Sequence, residues 1–120
     1  VFIDFMKLPY LDSSFELTKK SKYFAFIFQR GQKTQKIYLG DSKAIENIGY
    51  QIHKRNITYK RDMRSNSSYQ ILFKKIDRLV GIDKSLIIYP DGIYNMINLY
   101  ALYNENKDKY VFEYRDIRCK

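Results

Sequence analysis

The stretch Ser85 to Gly92, SLIIYPDG, constrains the fold more than any other part of the chain. Leu86, Ile87, Ile88 and Tyr89 form an unbroken apolar run with β-branched residues at its centre. The run does not alternate, so it suits a strand buried on both faces, as in a parallel sheet covered by helices. Pro90-Asp91-Gly92 stops it: proline has no N–H for a ladder, and Asp with Gly favours a turn. The chain thus leaves the sheet at the carboxyl end of a buried strand, where open α/β sheets form ligand crevices. Asp91 has two readings there. It lines a substrate pocket, with Asn95 beside it, or it only holds the turn, which is the simpler reading. A buried parallel strand also needs a neighbour on each side. A row of N–H and C=O groups left open beside Leu86, Ile87 and Ile88 would be a template for pairing with another chain.

Upstream, Val1 to Leu8 alternates roughly, with Asp4 breaking one face, and reads as an edge strand ended by Pro9. Residues 10–21 are polar and mixed and read as a loop. Tyr23 to Gln29 (YFAFIFQ) is the strongest strand signal of this half. Phe24, Phe26 and Phe28 would share one face, and Tyr23, Ala25 and Ile27 the other; with both faces apolar, an inner strand is expected. Arg30 to Gln35, with Gly31, reads as a hairpin loop leading to a partner strand Lys36–Leu39, closed by Gly40. Asp41 is an N-cap candidate. Ile45, Ile48 and Ile52 then share a helical face as far as about Lys54, with Gly49 weakening the helix by up to ~1 kcal/mol against Ala. A second helix, capped by Asn66 or Ser67, would carry the stripe Tyr69, Leu72, Phe73, Ile76, Leu79 and Val80, leave Asp77 off it, and end at a left-handed Gly81. Beyond Leu102, Asn104 to Lys109 reads as a turn and Tyr110 to Tyr114 as a further strand, and no element is assigned to 116–120. The class is α/β: a small antiparallel unit over 1–40, helices over 41–81, then a buried strand expected to seed a parallel sheet.

The string from Leu86 to Gly92 and from Asn95 to Leu102, continuing through Tyr103-Asn104-Glu105-Asn106-Lys107-Asp108-Lys109-Tyr110-Val111, resembles the CHAT family, caspase-like domains associated with helical repeats. The motif positions are Pro90, Asp91, Gly92, Asn98, Leu99 and Leu102; the family usually has a proline where Asn98 stands. The resemblance covers most of this chain but only the first half of a CHAT domain. It implies the N-terminal half of a three-layer α/β domain in a cysteine peptidase family. Its partners would be a downstream catalytic half, an upstream helical-repeat region and a protein substrate. It also implies that the catalytic His and Cys come from later strands. Residues 1–120 alone are therefore expected to be inactive, with no catalytic residue of their own.

The residues themselves agree with that expectation. A cysteine peptidase needs a Cys nucleophile within reach of a His base. The one His, His53, follows the apolar face of the first helix and reads as a surface or helix-end residue. The one Cys, Cys119, has no base near it in sequence. No cluster has metal-ligand spacing, no glycine-rich phosphate loop occurs, and no cofactor is expected. One cysteine leaves no internal disulfide and leans towards a reducing, cytoplasmic compartment. No apolar run approaches the ~20 residues that cross a bilayer, and residues 1–8 lack the basic start of a signal peptide. Formal net charge is +9, from 22 Lys and Arg against 13 Asp and Glu. The densest basic stretch is a connector holding Lys54, Arg55, Lys60, Arg61 and Arg64. It is a candidate anion-binding segment, with Tyr59 available for stacking, but the charges follow no regular face and a solvated loop is the simpler reading. A nucleic-acid partner is the lesser expectation.

Overall fold

The computed structural model describes the backbone of residues 1–11, 17–58 and 68–120, and the side chains of 1–9, 20–54 and 68–120. It bears out the α/β class. β1 (Phe2–Leu11), β2 (Leu17–Phe28), β3 (Gln35–Asp41), β4 (Leu86–Tyr89) and β7 (Ile117–Cys119) build one sheet in the order β3-β2-β1-β4-β7. A small separate ladder joins β5 (Tyr103–Asn104) to β6 (Lys109–Tyr110). Between β3 and β4 run α1 (Ser42–Thr58), α2 (Ser68–Leu72) and α3 (Lys74–Leu79).

β1, β2 and β3 form an antiparallel meander, and β1, β4 and β7 run parallel. β4 is therefore an inner parallel strand, as its apolar run requires. Both neighbours come from within the chain, so no ladder is left open beside Leu86, Ile87 and Ile88. Among the described residues the outer edges of the sheet are those of β7 and β3. The antiparallel unit is not separate: β1 stands at the centre of the sheet rather than at an edge, paired with β2 on one side and β4 on the other. Pro9 does not end β1. β4 pairs only with Phe2, Ile3 and Asp4, so Pro9 faces β2 alone, beside an irregularity of register, where a missing N–H breaks no second ladder. The expected loop over 10–21 is shorter than the polarity suggested, since β2 begins at Leu17.

The described buried side chains of the sheet project from one face: Ile3 and Phe5 of β1, Tyr23, Ala25 and Ile27 of β2, Leu39 of β3, Leu86 and Ile88 of β4. Phe24, Phe26 and Phe28 alternate with them and are only half-buried or exposed. β2 is inner by position, but its phenylalanine face is open. The described helices cover the other face, giving two layers.

The helical segment differs from the expectation in four ways. α1 continues to Thr58, so His53 is half-buried within it rather than at its end. The second helix breaks at Phe73, whose backbone turns to φ −138, ψ −21. Phe73, Leu72, Ile76, Tyr69 and Val80 are buried as the stripe requires, but Leu79 is 48% exposed. The break rotates α3 so that Asp77, not Leu79, points inward. Gly81 is not left-handed; among the glycines only Gly31, Gly40 and Gly92 have positive φ. The expected caps Asn66 and Ser67 lie outside the described residues, and the carboxylate of Asp41 accepts from the Tyr38 hydroxyl at 2.8 Å.

Near the end of the chain the expected strand Tyr110–Tyr114 is mostly a 3-10 turn, Val111–Glu113. Glu113 Oε2 accepts from the Tyr110 N–H at 2.7 Å, and the Arg115 N–H reaches back to the Val111 carbonyl. The turn redirects the chain into β7, a strand that no pattern in 116–120 marks.

Candidate functional site

The turn after β4 is held by its own side chains. Asp91 Oδ2 accepts from the Lys7 N–H of β1 at 2.8 Å, and Oδ1 accepts from the Gly92 N–H at 2.9 Å. Both carboxylate oxygens are thus engaged by backbone donors, and Asp91 pins the turn to the neighbouring strand. Of its two readings, the structure gives direct support to the turn-holding one. Gly92 follows at φ 56, in the left-handed region that a side chain resists. A Cβ there would also collide with the Tyr23 hydroxyl. That hydroxyl accepts from the Ile93 N–H at 3.0 Å. Its surroundings are dry enough to raise the Tyr23 pKa, with desolvation the main cause.

Tyr94 then inserts beneath the sheet. Its ring stacks on Phe5 at 4.1 Å and meets Tyr23 edge-on at 5.5 Å, and its hydroxyl donates to the Leu72 carbonyl at 2.9 Å. Leu99 and Leu102 are buried. The other motif positions sit differently. Asn95 is exposed and donates to the Gly92 carbonyl at 3.2 Å, so it closes the turn. Asn98 is exposed and precedes the 3-10 turn Leu99–Ala101 without a side-chain cap bond. Pro90 is half-buried.

Lys7, whose N–H holds Asp91, also lines a crevice of ≈ 770 Å³ where β1 and β2 meet the start of α1, and neither Asp91 nor Asn95 is in its lining. Lys7, Ser21, Ser42, Lys43, Glu46 and Tyr50 are among its lining residues. Lys7 Nζ sits 2.8 Å from Glu46 Oε1, a bond that raises the lysine pKa, and the Ser21 and Ser42 hydroxyls share a hydrogen bond of 2.7 Å. The crevice can hold a small polar or charged group through these side chains. Its described lining supplies no histidine or cysteine.

His53 and Cys119 belong to different parts of the molecule. α1 packs on β2, β3 and the 3-10 turn Gly92–Met96, whereas Cys119 is exposed on β7, the sheet edge opposite β3. Partial burial raises the Cys119 thiol pKa, which disfavours the thiolate. Among the described residues no group of three or more His, Cys, Asp and Glu could hold a metal ion, and no helix is long and apolar enough to cross a membrane. Of the basic connector, Lys54 is exposed and Arg55 continues the backbone of α1; Lys60, Arg61 and Arg64 lie outside the described residues, as does Tyr59.

Compared with known proteins, the chain matches no family model, no curated protein and no solved structure.

A second polar assembly lies between α3 and the segment that leads into β7. Asp77 is 6% and Arg115 5% exposed, and they are joined at 2.8 Å. Asp77 Oδ2 also accepts from the hydroxyls of Tyr69 and Tyr114, each at 2.6 Å. Asn104 donates to both hydroxyls at 3.1 Å. Desolvation and the carboxylate beside it push Tyr114 up to about 12 and Tyr69 higher still. No signal in the sequence marks it, since Asp77 lies off the helical stripe and the arginine that pairs with it is 38 residues away.

Proposed function

We propose that residues 1–120 are the N-terminal scaffolding part of a caspase-like (CHAT) cysteine peptidase domain, itself without the catalytic pair. The observation that carries the reading is the placement of β4 between parallel β1 and β7, ending in a pinned Pro90-Asp91-Gly92 turn beside a crevice. Strands so arranged present their carboxyl ends together, where this class of sheet builds sites. The residue string from Leu86 to Val111 supports the same family. In this reading β1, β4 and β7 supply the first core strands. Lys7 of β1, held from behind by Asp91, and the start of α1 form one wall of the cleft. The nucleophile and base arrive from a downstream half. A protein substrate would lie across the crevice, and an upstream helical-repeat region would present it. A reducing cytoplasmic compartment suits a thiol enzyme whose present half carries a single cysteine.

The test is the polypeptide translated downstream of Lys120. A strand ending in His and a later strand ending in Cys are expected there. Joined to that half, the protein should cleave peptide bonds, and replacing the downstream Cys with Ala should abolish cleavage. Residues 1–120 alone should hydrolyse nothing. If either strand is absent downstream, the peptidase reading fails and the chain is a non-catalytic structural relative.

A further inference from the structure

The sheet face turned away from the helices is apolar, and the residues that share it are set by register. Phe2 pairs with Phe28, Asp4 with Phe26 and Met6 with Phe24 across β1 and β2. Phe24 pairs with Tyr38 of β3, and Phe2 with Ile87 of β4. Phe2 is 44%, Phe28 42%, Tyr38 40% and Tyr89 40% exposed, so large rings meet solvent side by side. Contiguous apolar surface rimmed by polar groups marks an interaction site. Here the rim is mainly cationic, with Asp41 the carboxylate in register with Lys22. Lys22 Nζ lies 5.3 Å from the Tyr38 ring and Lys36 Nζ 4.5 Å from the Phe24 ring. At the end of the face a groove of ≈ 310 Å³ is lined by Phe2 and Phe28 together with Arg30 and Lys84.

We propose that this face docks an amphipathic helix of a partner protein whose apolar stripe is flanked by carboxylates. The width fits: two to three strands at about 4.8 Å spacing match a helix about 10 Å across. The charge fits as well, since Lys22 and Lys36 lie along one side of the aromatic centre and Arg30 and Lys84 at its end. A second copy of this chain does not fit, because face-to-face packing would oppose like-charged rims on two molecules of formal net charge +9. Asp4, which stands between Phe26 and Tyr89 in the middle of the face, would repel a nucleic-acid strand and requires a hydrogen-bond donor or a basic residue within the stripe of the docked helix. The peptidase reading implies a three-layer domain whose downstream half would cover this face. Peptide binding is therefore expected to persist on the chain joined to that half, and its loss there would overturn the proposal.

The experiment pans a library of randomised helical peptides on the folded chain and measures the enriched peptides by fluorescence anisotropy. Enriched sequences should carry apolar residues at i, i+3, i+4 and i+7 flanked by Asp or Glu. Their affinity should fall about tenfold or more for Phe2→Ser/Phe28→Ser and for Lys22→Glu/Lys36→Glu. The charge-reversed variant should instead bind a lysine-flanked copy of the same peptide. Phe2 and Phe28 are already exposed, so their replacement should leave the melting transition in place. No enrichment, enrichment without acids, or affinities indifferent to both variants would overturn the proposal. So would preferential binding of polyuridine or phosphatidylserine vesicles through Phe2 and Phe28, or a dimer that these changes dissolve.

Discussion

Arg115 Nε donates to Asp77 Oδ1 at 2.8 Å, with the two side chains 1% and 3% exposed. The remaining guanidinium donors reach the carbonyls of Gly81, Lys84, Asp77 and Val80. All five N–H groups of the arginine are engaged, so one residue neutralises a buried carboxylate and closes the end of α3. Asp77→Ala should cost about 3–5 kcal/mol, because it strands a buried cation. Replacing both partners with Leu and Met should not restore stability, since the carbonyls of Val80, Gly81 and Lys84 would lose their donor. Urea denaturation of the single and double variants checks this; a fully restored double variant would mean that the carbonyl contacts contribute nothing.

Gly49 separates helix propensity from packing. In an exposed helix, Gly→Ala adds up to ~1 kcal/mol. Here a Cβ would collide with Ile93 Cγ1 and approach Ile97 Cδ1 to 3.1 Å. Gly49 lets α1 lie close against the turn that follows β4. Gly49→Ala should therefore lower the thermal midpoint, whereas Ala44→Gly, at an exposed position of the same helix, should also lower it, through propensity alone. A Gly49→Ala protein that melts higher would show that the helix stands off from Ile93.

These two sites show where the sequence was readable. Leu86–Tyr89 and Tyr23–Ile27 declare themselves as strands because burial on a sheet leaves a local pattern. Asp77 did not declare its role, because the arginine that satisfies it lies 38 positions away. The helical stripe was right at Phe73 and wrong at Leu79, since the break at Phe73 depends on tertiary contacts rather than on periodicity. β7 went unseen because Ile117–Cys119 is short and only its pairing with β4 makes it a strand. At the turn, Pro90-Asp91-Gly92 was legible as a stop, but the bond from the Lys7 N–H that fixes Asp91 requires β1 to lie next to β4.

The stripe yields a graded test. Phe73 is fully buried and Phe73→Ala should cost about 3–5 kcal/mol. Lys74→Ala, one position on, should cost little. Leu79→Ala should also cost well under the ~2–5 kcal/mol of a buried leucine, because Leu79 is 48% exposed. Comparable losses at Phe73 and Leu79 would place α3 in the orientation that an unbroken helix predicts.

Alkaline pH should weaken the fold through its tyrosines. Burial raises Tyr69, Tyr94 and Tyr114 above the ordinary value of 10.0, Tyr114 to about 12. A raised folded-state pKa means that the unfolded chain loses its proton first. The stabilisation is therefore complete below the ordinary value and is lost as pH rises through the folded-state ones. Denaturant midpoints should hold steady up to about pH 10 and then fall. Tyr114→Phe should flatten the first part of that fall. A midpoint unchanged well above the ordinary tyrosine value, with tyrosinate absorbance already complete, would mean that these hydroxyls titrate as if in water.

The turn that ends β4 offers the closest test of how the site is held. Gly92 must accommodate φ 56 and the Tyr23 hydroxyl at once. Gly92→Ala meets both obstacles, the left-handed backbone at about 1–2 kcal/mol and the collision in addition. Tyr23→Phe removes the hydroxyl and with it the worst of the collision, leaving ring carbons at 3.0 and 3.1 Å from the new Cβ, but leaves the buried Ile93 N–H without its acceptor, a loss of about 1–3 kcal/mol. The two changes should therefore couple: the double variant should be less destabilised than the sum of the singles, because the alanine methyl occupies space the hydroxyl has vacated. Asp91→Ala serves as the control. It frees the Lys7 and Gly92 N–H groups at the partly exposed rim and should add to the Tyr23 change without coupling. Additivity of Gly92→Ala with Tyr23→Phe in urea denaturation would mean that the hydroxyl does not sit against the glycine and that the turn is positioned by Asp91 alone.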